Sequence, residues 1–408
     1  MDLQLRKDAQ YIVNKAIGAV MPDEAVAKAL ENKSFSGRVI LVAAGKAAWQ
    51  MANAAYSCVS VDRGIVITKY DHTKAPIGNL VIREAGHPTP DENGFAATKE
   101  ALEMVSDLSD TDTVLFLLSG GGSALFELPL IIGEELQDIT RQLLASGADI
   151  SEINTVRKRL SAVKGGKFAL ACAPAQVYSI VLSDVLGDKL DVIASGPAYP
   201  DSSTSEDAIA IAKKYALRLS DRAWECLRQE TPKQLTNVTT TVNGSVSRLC
   251  IAAAEACRDL GYKAEILTDA LTCEAKDAGV MLAQRLREFT SERPVAFIAG
   301  GETVVKLTGT GTGGRNQELA LSAATLLRDL SGAAVFSVGS DGTDGPTDAA
   351  GGYVDHTTAS ALEKRGICVE AVLANNDSYH ALKAVDGLII TGPTGTNVND
   401  VAVALLRR

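Results

Sequence analysis

Short apolar runs, each ending in a glycine-bearing turn that opens a helix, recur along this chain and leave few folds open. In "RVILVAAGKAAWQMANAA" a β-branched run breaks at Gly45 and continues as an alanine-rich helix. "GIVITK", "LVIREAG", "TVLFLLSGGGSAL" and "VYSIVLSDV" follow. Runs apolar throughout belong to strands buried on both faces. With helices between them they specify an α/β fold, a parallel sheet covered on both sides.

At 408 residues the chain exceeds what one core organises, so two domains are expected. "RQETPKQLTNV", residues 228–238, is polar, contains a proline and lacks periodicity, which places the boundary there and gives domains 1–235 and 236–408. A second α/β series follows: "VTTTV", the helix "SRLCIAAAEACRDLG", "KAEILT", a helix from about Cys273 to Phe289, "VAFIAG", "AAVFSV" and "GLIIT". "VAFIAG" and "GETVVKL" lie too close for a helical crossover, so part of the second sheet should be antiparallel.

A net charge of −10 and 5% aromatic residues argue against nucleic acid as partner. No apolar run approaches the ~20 residues that span a bilayer, and the start reads as a helix capped by Asp2 with Leu5, Ile12, Val13, Ala16 and Val20 on one face. We expect a soluble, cytoplasmic protein with reduced cysteines. The oligomeric state is open, a homodimer being one option.

Ligands of open α/β sheets bind at the carboxyl ends of the strands, so the loops there carry the functional reading. Lys46 stands after Gly45 at a helix start, where the macrodipole disfavours a cation unless an anion binds too; a solvated lysine after a tight turn is the alternative. In Ser119, Gly120, Gly121, Gly122 and Ser123, three glycines allow an inward nest of amides, though a flexible turn uses glycine as well. "NTVRKRLSAVKGGKFA" holds five cations and no acid, a run that reads mostly as a solvated helix face, with one or two side chains from Asn154–Ser161 turned to the cleft. Asp184 and Asp188 end an apolar strand, where a carboxylate binds Mg²⁺, accepts a hydroxyl proton, or merely caps a turn.

"GTGTGGRNQELAL" resembles a phosphate-binding loop with Arg315 added. Its glycines follow a hairpin-like segment, so the dinucleotide fingerprint does not fit. Asn375 and Thr394 lie in further small polar loops. "GSDGTDGPTDAAGG" gathers five glycines with Asp341, Asp344 and Asp348. These aspartates face Lys46 and Arg315 if the two domains close on one cleft, a mixture suited to phosphoryl transfer. A tight Asx-turn loop is the alternative.

With "AAGKAA", "SGGGSAL", "SDVLGDxxxxIASGP", "GGETVV", "GxGxGGRNQE", "SDGTDGPTDAAGG" and "TGPTGTNVND" in order, the chain resembles the glycerate 2-kinase family, the type with a C-terminal MOFRL domain. The resemblance implies a Rossmann-like N-terminal domain, a mixed α/β C-terminal domain and a site between them. It implies transfer of the γ-phosphoryl of ATP to the 2-hydroxyl of D-glycerate, with Mg²⁺. Lys46 and Arg315 would meet the transferring phosphoryl and the substrate carboxylate. Asp184 or Asp188 would be base or metal ligand, with Asp344 a second metal ligand. Further substrate and nucleotide contacts are expected from Gly45, Ser119, Gly120, Gly121, Gly122, Ser123, Gly301, Glu302, Gly313, Gly314, Asn316, Glu318, Asp341, Thr343, Asp344 and Asn375. Two other classes stay open. Some family members carry a hydroxypyruvate reductase label, against which stands the missing dinucleotide fingerprint. A non-catalytic sugar-acid or nucleotide sensor is the other, although no output module is recognisable.

Overall fold

The computed structural model describes residues 1–183, 185, 187 and 190–407. By contact the chain divides into two compact units, Pro22–Asn243 and a second one made of Met1–Met21 with Gly244–Arg408.

The unit Pro22–Asn243 is built on β1 (Val39–Ala44), β2 (Arg63–Lys69), β3 (Val81–Ala85), β4 (Thr113–Leu118), β5 (Gln176–Leu182) and β6 (Val238–Gly244), in the spatial order β3-β2-β1-β4-β5-β6. β1 pairs in parallel with both β2 and β4, β2 with β3, and β4 with β5. Alternate residues of β1 serve different cores. Ile40, Val42 and Ala44 pack with Ala97 and Ala101 of the helix Glu92–Met104, and with Phe168. Leu41 and Ala43 pack with Met51, Ala52 and Ala55 of the helix Ala48–Cys58. Both faces are therefore covered, as continuous apolar strands require. "VTTTV" supplies the sixth strand here and does not begin the second series: the expected cut at 235/236 falls before β6, while the contact division falls at its last residue, between Asn243 and Gly244.

The other unit carries β7 (Lys263–Leu271), β8 (Val295–Gly301), β9 (Ala333–Gly339), β10 (Gly351–Asp355), β11 (Leu388–Ile389) and β12 (Asp400–Leu406), ordered β11-β10-β9-β12-β8-β7. This sheet is mixed, but not through a hairpin at "GETVVKL". β7 and β8 are parallel, and the antiparallel part comes from β12, which inserts between β8 and β9, and from β10. Past β8 the chain leaves the sheet, and Val304 makes only an isolated bridge to Glu274.

The helix Leu3–Gly18 belongs to this unit. Asp2 caps it, accepting from the amides of Gln4 and Leu5 at 3.0 and 3.1 Å. Its inner face carries Asp8, whose carboxylate accepts from the Tyr262 hydroxyl at 2.6 Å. Ser245 caps the helix Val246–Asp259 in the same way. No helix among the described residues is long and apolar enough to cross a membrane.

Candidate functional site

In the parallel sheet the chain runs outward from β1 through β2 to β3, then returns to place β4 on the other side of β1. The loops after β1 and β4 therefore meet at the point where the strand order reverses, the usual ligand position of a doubly wound sheet. The two loops that the sequence singles out occupy it. The Lys46 amide donates to Gly120 O at 2.9 Å, and the Ala47 amide to Ser119 Oγ at 3.1 Å. Gly45 has φ +126°, and a Cβ there would lie 2.2 Å from Ser119 Oγ, so only glycine lets the loops close on each other. The Lys46 ammonium has no ion pair with any described residue.

Ser123 continues the loop. Its carbonyl accepts from Arg157 Nη2 at 3.0 Å, and its hydroxyl meets Ser195 Oγ at 3.3 Å. Ser195 Oγ donates to Asn154 Oδ1 at 2.9 Å. Ala194, Ser195 and Gly196 have φ of 49°, 61° and 64°, a left-handed run rarely taken by residues with side chains. Arg157 Nε is buried without a hydrogen-bond partner.

The neighbouring cations are not a solvated face. Lys158, Arg159 and Lys164 are buried. Asp201 takes Lys158 at 3.0 Å and Arg159 at 3.6 Å, and Glu127 takes Lys164 at 3.1 Å. Burial pulls the Lys164 ammonium down to about 8, with the Glu127 charge opposing. The acids that partner this run come from distant segments, so its own window showed none.

In the other unit the site is a register effect. Antiparallel pairing sets Asp400, the first residue of β12, opposite Gly301 at the end of β8 and Gly339 at the end of β9. Arg315 opens the helix Arg315–Leu327 and spans the resulting acids: Nε and Nη2 meet Asp400 at 2.5 and 3.0 Å, and Nη1 meets Glu302 at 3.0 Å. Asp400 was missed in the sequence reading; its one signal is a charge heading a wholly apolar strand.

Asp344 lies against the start of the helix Arg315–Leu327. Its Oδ1 accepts from the Asn316 amide at 3.1 Å and its Oδ2 from the Gln317 amide at 2.9 Å, so it caps the helix that Arg315 opens. Burial raises its carboxyl to about 6 despite those two amides. Gly314 is required beside it, since a Cβ there would lie 2.3 Å from Asp344 Cγ.

The remaining expected contacts mostly hold the loops. Asn316 is buried and accepts from Ser337 Oγ at 2.5 Å. Glu318 is buried and accepts from Asn376 Nδ2 at 3.2 Å, and burial raises its carboxyl. Asn375 Oδ1 accepts from the Thr310 amide, Gly313 abuts Ser378, and the Thr343 amide donates to Asp341 Oδ1 in a local turn. Asp348 accepts from the Tyr379 hydroxyl at 2.8 Å. The three aspartates of "GSDGTDGPTDAAGG" thus have partners within their own unit: the Asx-turn alternative describes Asp341, and Asp344 is a helix cap. Asp184 and Asp188 lie outside the described residues. Among the described residues no group of three or more His, Cys, Asp or Glu side chains is placed to hold a metal.

Residues 8–228 match a family described as a domain of unknown function, DUF4147, and residues 295–400 match the MOFRL family. A D-glycerate 2-kinase of Thermotoga maritima is 54% identical over 98% of both chains. A relative from Agrobacterium vitis with a provisional hydroxypyruvate reductase name is 39% identical over 99% of this chain and 95% of its own. A crystal structure of a Thermotoga maritima glycerate kinase, 53% identical, superposes with a TM-score of 0.94 and covers 99% of each chain.

Proposed function

This chain belongs to the glycerate 2-kinase family with a C-terminal MOFRL domain, and from that premise we propose how its two loop sites divide the work. The enzyme is a kinase that moves the γ-phosphoryl group of ATP to the 2-hydroxyl of D-glycerate, giving 2-phosphoglycerate and ADP. The observation that carries the reading is the pairing of the loops after β1 and β4 at the strand-order reversal, where Lys46, exposed and without an ion pair among the described residues, donates its amide to the first of three consecutive glycines.

Phosphoryl transfer asks a protein mainly for positioning and for cations where charge spreads over the transferring oxygens. In this proposal Lys46 supplies that charge, and the amides of Gly120, Gly121 and Ser123 receive phosphate oxygens, while the Gly122 amide closes the loop on Ser119 O at 3.2 Å. Arg315, already oriented by Asp400 and Glu302, meets the substrate carboxylate or the phosphoryl from the other loop cluster. Asp184 or Asp188 takes the hydroxyl proton.

Mg²⁺ is expected as the partner of ATP. It commonly binds through substrate phosphates and one or two carboxylates. Asp344 and Asp184 are the carboxylates proposed for it; each Asp344 oxygen accepts one backbone amide and keeps a second lone pair. A cytoplasmic protein acting on small molecules is consistent with this chemistry.

The test is ADP release with MgATP and D-glycerate, with the product offered directly to enolase. Turnover of ~1–100 s⁻¹, followed by consumption by enolase without a mutase, supports the reading. NADH oxidation with hydroxypyruvate and no ADP release would replace it with the reductase.

A further inference from the structure

The loop after β3 holds a histidine that none of these assignments uses. The Cδ2 and Nε2 atoms of His87 stand 3.1 Å from the point that a Cβ on Gly121 would occupy, and Lys46 Cγ stands 3.2 Å from the same point. Loops from the carboxyl ends of β1, β3 and β4 therefore bring a lysine, an imidazole and a bare glycine to one spot. Gly121, with φ +86°, is required there by conformation as well as by space. The imidazole makes no hydrogen bond with any described residue.

Its electrostatic surroundings point one way. Burial, then Lys46, Lys69 at the end of β2 and His72 beyond it, all act against a charged ring and lower the His87 pKa from its ordinary value. Asp91, four residues on, is already engaged by the Tyr70 hydroxyl at 2.6 Å and the Gly94 amide at 2.9 Å. A histidine with unspent nitrogens among cations gains most from an oxyanion. One arriving beside Lys46 would accept a hydrogen bond from the ring and favour its protonation.

We propose that His87 contacts the oxyanion received at the Lys46–Gly121 loops, donating a hydrogen bond from the ring nitrogen that faces Gly121. The kinase reading supplies that group's identity, either a phosphoryl oxygen of the nucleotide or the carboxylate of the hydroxy acid. In both cases binding is linked to proton uptake by His87.

Steady-state kinetics of His87→Ala and His87→Gln separate the two sources, since glutamine places an amide donor near the position of Nε2. We expect His87→Ala to raise one KM tenfold or more, leave the other within twofold, and keep the wild-type Tm, with His87→Gln recovering most of the loss. A rise for MgATP assigns the phosphoryl group, and a rise for D-glycerate assigns the carboxylate. A readout independent of turnover comes from the chain's four histidines, whose imidazole C2–H signals are few enough to follow by NMR. The signal missing from His87→Gln belongs to His87, and inorganic phosphate added to wild-type protein should move its titration to higher pH. If His87→Ala does not fold, His87→Gln and the wild-type titration still decide. Both KM values within twofold in His87→Ala and a His87 titration unmoved by phosphate would overturn the proposal. Wild-type protein without kinase turnover would instead sink the kinase reading, and the phosphate titration would still judge His87.

Discussion

At Arg315 the charges have found one another inside the fold, whereas the Lys46 ammonium and the His87 ring have no such partner among the described residues. The difference separates two ways of preparing for an anion. Arg315 is held by two carboxylates, Asp400 and Glu302, before any ligand arrives, so its orientation is settled and part of its charge is already answered. Lys46 is positioned through its backbone, by the bond from its amide to Gly120, and its charge is left for the ligand. The first arrangement stabilises the fold and the site together. The second stabilises only the site, and only once it is filled.

Two substitutions break this comparison most sharply. Lys46→Met should lower kcat/KM by ~10²–10³, the usual effect of removing one charge-stabilising group, while the urea midpoint stays at the wild-type value. Arg315→Met should lose activity on a similar scale and also about 3 kcal/mol of stability, because Asp400 is left buried without its cation. The loss is no larger because 34% of the arginine side chain already reaches water. Equal urea midpoints for the two variants would remove the distinction.

Asp344 gives the next largest effect. Its carboxyl, raised to about 6 from an ordinary 3.8, favours the protonated fold. The resulting contribution is complete below about pH 4 and is lost as pH rises through 6, up to about 3 kcal/mol in all. Asp344→Asn should flatten that part of the stability profile, read as the difference between variant and wild-type urea midpoints from pH 4 to 7. A difference constant with pH would contradict the raised carboxyl.

Gly121→Ala should cost ~1–2 kcal/mol through its left-handed backbone and should weaken turnover by crowding His87 and Lys46. Unchanged turnover would show that the space over Gly121 is not used. The smallest effect is expected at Glu302, whose pair with Arg315 is half exposed. Glu302→Gln should change stability by no more than ~1 kcal/mol. A larger effect on KM than on Tm would sharpen the comparison by showing that Glu302 meets substrate.

The loops at both sites were legible because each is local: a strand, a cluster of glycines and a charged residue within a dozen positions. What escaped is what pairing and packing bring together from afar. Asp400 reaches Arg315 only because β12 enters antiparallel between β8 and β9. The cations from Arg157 to Lys164 read as a solvated face because Asp201 and Glu127 lie outside their window. "VTTTV" looked like a beginning because it follows a polar stretch, yet tertiary pairing makes it the last strand of the parallel sheet. Asp344 stood out in its loop of glycines, but its bonds to the Asn316 and Gln317 amides could not be read there, because those amides belong to a helix that starts before the preceding strand.

The placement of the helix Leu3–Gly18 with residues 244–408 has a consequence for synthesis. The helix is translated before the whole of Pro22–Asn243, and its partner Val246–Asp259 only afterwards. On the ribosome the parallel-sheet unit can fold while the helix still waits with its apolar face uncovered. The mixed sheet waits longer still, because β12, which joins its two halves, is translated after all its other strands. One unit can therefore form as it emerges, while the other must be assembled from two ends of the chain.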